Sequence, residues 1–109
     1  MDSEASNFSQ YLCELTLVDT KMLKWRQSLQ AGASIYLAKK ILKRDEPWSK
    51  TLTKHSGYSE HKVRECAREI CKVLTDAPNK SNYASIYKKY STSRYHRVAL
   101  IPERTRKAN

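Results

Sequence analysis

Between Ser28 and Lys43 the chain reads SLQAGASIYLAKKILK, and its apolar positions fall into two stripes of one helix. Leu29, Ala33, Tyr36, Leu37 and Ile41 form the first. Ala31, Ile35, Ala38 and Leu42 form the second, a quarter-turn or more away. A helix that is apolar over most of its circumference is buried by neighbours on several sides. The small residues Ala31-Gly32-Ala33-Ser34 let another helix approach closely, and only the end carrying Lys39, Lys40 and Lys43 looks wet. The pattern therefore predicts a central helix over 28–43, wrapped by the others.

The flanking segments supply the wrapping. After a polar and frayed start over 1–7, Phe8, Tyr11, Leu12, Leu15 and Val18 repeat at helical spacing, giving an amphipathic helix that ends near Asp19-Thr20. Met22, Leu23 and Trp25 make the connector too apolar to be free, so it is expected to pack, and Ser28 is the expected N-cap of the central helix. Pro47 suits the first turn of a short helix carrying Trp48, Leu52 and His55 on one face, and Gly57 suits its left-handed stop. Ser59 then caps the cleanest amphipathic helix, with Val63, Cys66, Ala67, Ile70, Cys71 and Leu74 on its apolar face. Asp76-Ala77-Pro78-Asn79 breaks it. A last helix over 81–90 aligns Tyr83, Ile86, Tyr87 and Tyr90, and Tyr95, Val98, Leu100 and Ile101 suggest an extended tail lying on the body. No stretch alternates with period two, so the fold class is all-α, a bundle of about five helices in one domain over 1–101 with a basic flexible tail over 102–109.

Composition changes the picture in two places. The 109 residues carry a formal charge of +10, yet residues 1–20 hold Asp2, Glu4, Glu14 and Asp19 with no Lys or Arg, leaving +14 on the rest. That asymmetry fits an acidic partner, nucleic acid or a well-solvated surface. The three cysteines, Cys13, Cys66 and Cys71, read as ordinary reduced thiols on apolar faces, because neither their spacing nor that of His55, His61 and His96 is a zinc pattern. No signal peptide, membrane span, cofactor motif or catalytic grouping is visible, so no enzyme is expected.

Four stretches, in order, resemble the carboxy-terminal cyclin fold of mitotic, A/B-type cyclins. Residues 11–19, YLCELTLVD, are similar to the family's YLxELxLxD helix, and 28–38, SLQAGASIYLA, to its central PSxxAxAAxxLA helix. Trp48-Ser49 to Leu52 with Ser56-Gly57-Tyr58-Ser59 resembles the W…L…xTGYS helix and turn, and 88–100, KKYSTSRYHRVAL, the KYxxSKYxxVxL tail. Gln27 stands where the family normally has proline before the serine of the central helix. The match begins at the second helix of that fold, so the sequence reads as a truncated version lacking the usual first helix, and the amino-terminal cyclin fold is not part of it. Either the tail at Val98 to Ile101, a partner or a second copy is then expected to cover the open side of the central helix.

The resemblance implies a regulatory subunit of a cyclin-dependent serine/threonine kinase in cell-cycle control. In that role the domain does no chemistry, braces an amino-terminal cyclin fold in cis or in trans, and works in the nucleus or cytoplasm away from membranes. Glu14, Asp19, Trp25, Lys39, Lys40 and Lys43 are the candidate interface residues. For Glu14 and Asp19, local capping or ion pairing is the competing role, and Trp25 suits either a core plug or a partner contact. The alternative is a basic helical module for nucleic acid, in which Lys39, Lys40, Lys43, Arg44 and the 88–97 cluster meet phosphates and interleaved tyrosines stack on bases.

Overall fold

The computed structural model describes residues 3–101, and within them there are five α-helices and no strand. They are α1 (Ser3–Leu17), α2 (Gln27–Ile41), α3 (Lys50–Ser56), α4 (Glu60–Asp76) and α5 (Ala84–Tyr90), joined by short 3-10 turns. The expected tail over 102–109 lies outside the described residues. Helix α2 packs against α1 on one side and α4 on the other, which makes it the central element. Phe8, Tyr11, Leu12 and Leu15 of α1, Leu29, Ala33, Tyr36, Leu37 and Ala38 of α2, and Val63, Cys66, Ala67, Ile70 and Leu74 of α4 form one buried cluster. Each fully buried Leu, Ile or Phe in such a layer contributes about 1.5–3 kcal/mol relative to exposure.

The first stripe of α2 is buried as its spacing requires, except that Ile41 at its end is half-buried. Of the second, Ala38 alone is buried: Ala31 is exposed, and Ile35 and Leu42 are only half-buried. Trp48 covers part of that side, lying 3.1 Å from where a Cβ on Gly32 would stand. The tail packs chiefly on α1 and α5 rather than on the open side of α2, with Val98, Ala99 and Ile101 buried there. Tyr11, Tyr90 and Tyr95 clamp it in a row of rings at centroid distances of 5.4 and 4.7 Å. That tail is not extended as expected. It forms 3-10 turns at Ser93–Tyr95 and Val98–Leu100, because His96 and Arg97 adopt left-handed backbone and fold it back.

Several boundaries move for local reasons. The supposedly frayed start is helical from Ser3, with Ala5 buried and Glu4 paired to Arg44 at 3.0 Å. Helix α1 stops at Leu17, leaving Val18 exposed, because Asp19 caps the next turn, Thr20–Lys24, by accepting from the Lys21 amide at 2.8 Å. The connector packs through Met22, whereas Leu23 is 80% exposed. Ser28 does not cap α2: the cap position is Arg26, and the Ser28 hydroxyl instead meets the Tyr58 hydroxyl at 2.8 Å. Buried Gln30 ties the connector down, its Nε2 donating to the carbonyls of Met22 at 2.8 Å and Trp25 at 2.9 Å. Helix α2 ends at Ile41, and Lys43 takes a left-handed conformation while the Arg44 amide reaches back to the Lys39 carbonyl at 2.8 Å. That is the bonding pattern of a Schellman stop. Helix α3 starts at Lys50 under a Ser49 cap, not at Pro47, and His55 is exposed. Gly57 at φ 78° and the Ser59 cap are as expected.

Cys71 does not belong to the buried face of α4; it is exposed, Cys13 is half-buried, and Val73 packs in the core instead. Burial pushes the Cys66 thiol up to about 11, so it stays protonated and inert at neutral pH.

Candidate partner-binding surfaces

The six candidate interface residues do not converge. Glu14 faces α5, where its carboxylate accepts from Lys89 at 3.3 Å. Burial and the neighbouring Glu14 carboxylate hold the Tyr90 phenol well above its usual range. Asp19 caps the connector and also accepts from the Tyr83 hydroxyl at 2.6 Å. Partial burial would raise its carboxyl, but the bonds from Tyr83 and the Lys21 amide, with the Lys21 and Lys80 charges, outweigh that and hold it below its ordinary value. Tyr83 is pushed up to about 12 by burial and by the same bond. Both carboxylates therefore fasten elements of the fold together.

Trp25 stands at the amino end of α2 and Lys39, Lys40 and Lys43 at its carboxyl end. A 15-residue helix puts them ~20 Å apart. Trp25 is half-buried, with the ammoniums of Lys24 and Lys62 lying 5.6 and 5.5 Å from its ring centroid. Together with Arg26, Leu29 and Tyr58 they line a cavity of about 270 Å³. Lys40 folds over the Tyr36 ring at 5.4 Å and donates to its hydroxyl at 3.2 Å, and the Arg64 Nε donates to the same oxygen at 3.4 Å. Burial opposes ionisation of Tyr36, but the donors from Arg64 and Lys40 prevail and lower its phenol. Leu37, Ala67, Arg68 and Cys71 complete this second groove, also about 270 Å³.

Sequence reasoning missed Arg26, Lys62, Arg64 and Arg68, whose contribution arises only where α4 lies beside α2. It also missed an apolar corner at the end of α1, where Leu17, Val18 and Leu23 are 69, 42 and 80% exposed. The tyrosines offered for base stacking are largely committed to packing: Tyr83 and Tyr90 are buried and Tyr87 half-buried. Among the described residues no group of His, Cys, Asp and Glu is arranged to hold a metal ion, and no helix is long and apolar enough to cross a membrane.

Comparison with known proteins matches residues 1–104 to the family described as cyclin, C-terminal domain. Among curated relatives, the chain is 37% identical to cyclin-B1-4 of Arabidopsis thaliana over 102 residues, which is 93% of the chain and 26% of that relative. It is 34% identical to the G2/mitotic-specific cyclin-B of Hydra vulgaris, covering 94% of the chain and 28% of the relative. With the G2/mitotic-specific cyclin-B of Dictyostelium discoideum it shares 36% identity, covering 93% and 23%. The chain thus spans about a quarter of the length of the relatives it matches.

Proposed function

Since the chain belongs to the cyclin family, through that family's carboxy-terminal domain, we propose that it serves as a regulatory subunit, not an enzyme, binding a cyclin-dependent serine/threonine kinase in cell-cycle control. The observation that carries this reading is the match over residues 1–104, which takes in every described helix together with the clamped tail. The domain supports an amino-terminal cyclin fold supplied in cis or in trans, and it acts in the nucleus or cytoplasm.

Glu14 and Asp19 are engaged in holding α5 and the connector to α1, so the fold keeps its shape while presenting surface elsewhere. The open side of α2 at Ala31, Ile35 and Leu42 and the leucine corner at Leu17 and Leu23 are the apolar surfaces available to a neighbouring fold. Lys39, Lys40 and Lys43 supply a basic rim at the carboxyl end of α2, and half-buried Trp25 adds aromatic surface at its amino end.

The test is co-precipitation of the 109-residue chain with a cyclin-dependent kinase, with and without an amino-terminal cyclin domain. Kinase recovery that depends on the amino-terminal domain is the expected result. Absence of the kinase from both samples rejects the reading.

A further inference from the structure

We propose that the cavity beside Trp25 binds a phosphate monoester carried on a serine or threonine of a partner protein segment. Its lining comes from the connector (Lys24, Trp25, Arg26), from α2 (Leu29), from the α3–α4 turn (Tyr58) and from the first turn of α4 (Lys62). Three of these six side chains are cationic and none is acidic. A phosphoserine or phosphothreonine brings between one and two negative charges at neutral pH and three acceptor oxygens. Arginine with two lysines is a donor set suited to that group.

Two of the three cations are positioned in advance of any ligand. Lys24 and Lys62, from different elements, both lie over the Trp25 ring, at 5.6 and 5.5 Å from its centroid. Attraction to the ring holds an ammonium in place without using up its hydrogens as a carboxylate would. One competing carboxylate stands nearby: Lys24 reaches Glu69 at 3.4 Å, in an exposed pair of the weak kind. The bond between the Ser28 and Tyr58 hydroxyls at 2.8 Å fixes the start of α2 against the α3–α4 turn, so the two walls keep their separation. The start of α2 adds to the field without carrying the assignment. Arg26 at its cap makes no side-chain capping bond, and Gln27 rather than proline holds the first helical position, leaving an amide hydrogen there.

The occupant follows from what the walls leave over. With two ammoniums within 5.6 Å of the indole centroid, a nucleobase stacking on Trp25 has to compete with them, which disfavours a nucleotide or a nucleic-acid strand. A volume of about 270 Å³ exceeds a phosphate group, and Leu29 with the Tyr58 ring gives the excess an apolar lining suited to the carbon atoms around a modified serine or threonine. This site does not depend on the kinase-binding reading.

The experiment titrates the full chain, isotope-labelled for amide and indole NMR, with a peptide library fixed at phosphothreonine and degenerate on either side. The unphosphorylated library, inorganic phosphate and a short DNA duplex are the other arms. The expected result is saturable binding at least tenfold tighter than the unphosphorylated library, with shifts at the Trp25 indole and the Gln27 to Leu29 amides. Arg26→Glu/Lys62→Glu should lose at least tenfold in affinity. Lys50→Glu/Lys54→Glu, exposed on α3 and equal in charge change, should lose less than threefold. Equal losses in the two variants, shifts that map elsewhere, inorganic phosphate binding as tightly as the peptide, or DNA alone displacing the indole resonance would each overturn the proposal. Circular dichroism of both variants keeps a folding defect from passing as a binding result.

Discussion

Asp19 joins three parts of the molecule through one carboxylate: the end of α1, the Thr20–Lys24 turn it caps, and Tyr83 beyond α4. Replacing it with alanine removes a cap and leaves the buried Tyr83 hydroxyl without its acceptor, at a cost of about 1–3 kcal/mol, read as a lower urea midpoint. The pH dependence has a definite sign. Its carboxyl sits below the ordinary 3.8 in the folded protein, so its contribution is complete above 3.8 and is lost as pH falls through the lower folded value. Unfolding midpoints measured between about pH 5 and pH 2 should therefore fall more steeply for the native chain than for Asp19→Asn. Parallel curves would mean that the carboxylate gains nothing from its setting.

At the end of α2 stands one of the non-glycine residues that hold left-handed backbone. Lys43 holds the left-handed position of a Schellman stop, which glycine occupies without a steric cost. Its side chain, by contrast, is exposed and has no packing role to lose. Lys43→Gly is expected to stabilise the protein by about 0.5–1 kcal/mol, the relief of left-handed strain less the added entropy of the unfolded chain. Thermal unfolding would show it as a rise in midpoint, and an unchanged or lower value would place the stop's stability elsewhere. Helix α4 is the contrasting case, with a serine cap and a clean apolar face. There sequence and structure differ only at Cys71 and Val73, which flank the buried face on its opposite edges.

For the molecule as a whole, the exposed leucines separate stability from association. Leu17 and Leu23 bury little within the chain, so Leu17→Lys/Leu23→Lys should leave the unfolding free energy within about 0.5 kcal/mol. Sedimentation at rising concentration should show less self-association for this variant than for the native chain. A large loss of stability would mean that these leucines pack more closely than their exposure implies.

The all-α class, the central place of α2, the Ser59 and Gly57 signals and the family were all legible in the order of residues, since helical period and cap chemistry are local and four ordered motifs are hard to match by chance. It placed Phe8, Tyr11, Tyr36, Tyr83 and Tyr90 in the core, where their spacing puts them. What it could not determine was which of two plausible partners a polar group takes. Ser28 had the composition of a cap, but Tyr58, 30 residues on, claims its hydroxyl. The tail read as extended, but His96 and Arg97 reverse it onto α1 and α5. The basic cavity at Trp25 was invisible for the same reason: Lys24 and Lys62 lie 38 positions apart in the chain, and only the docking of α4 beside α2 brings their charges onto one ring and one cavity. Local chemistry settles helices, whereas convergence of charge depends on packing between distant segments.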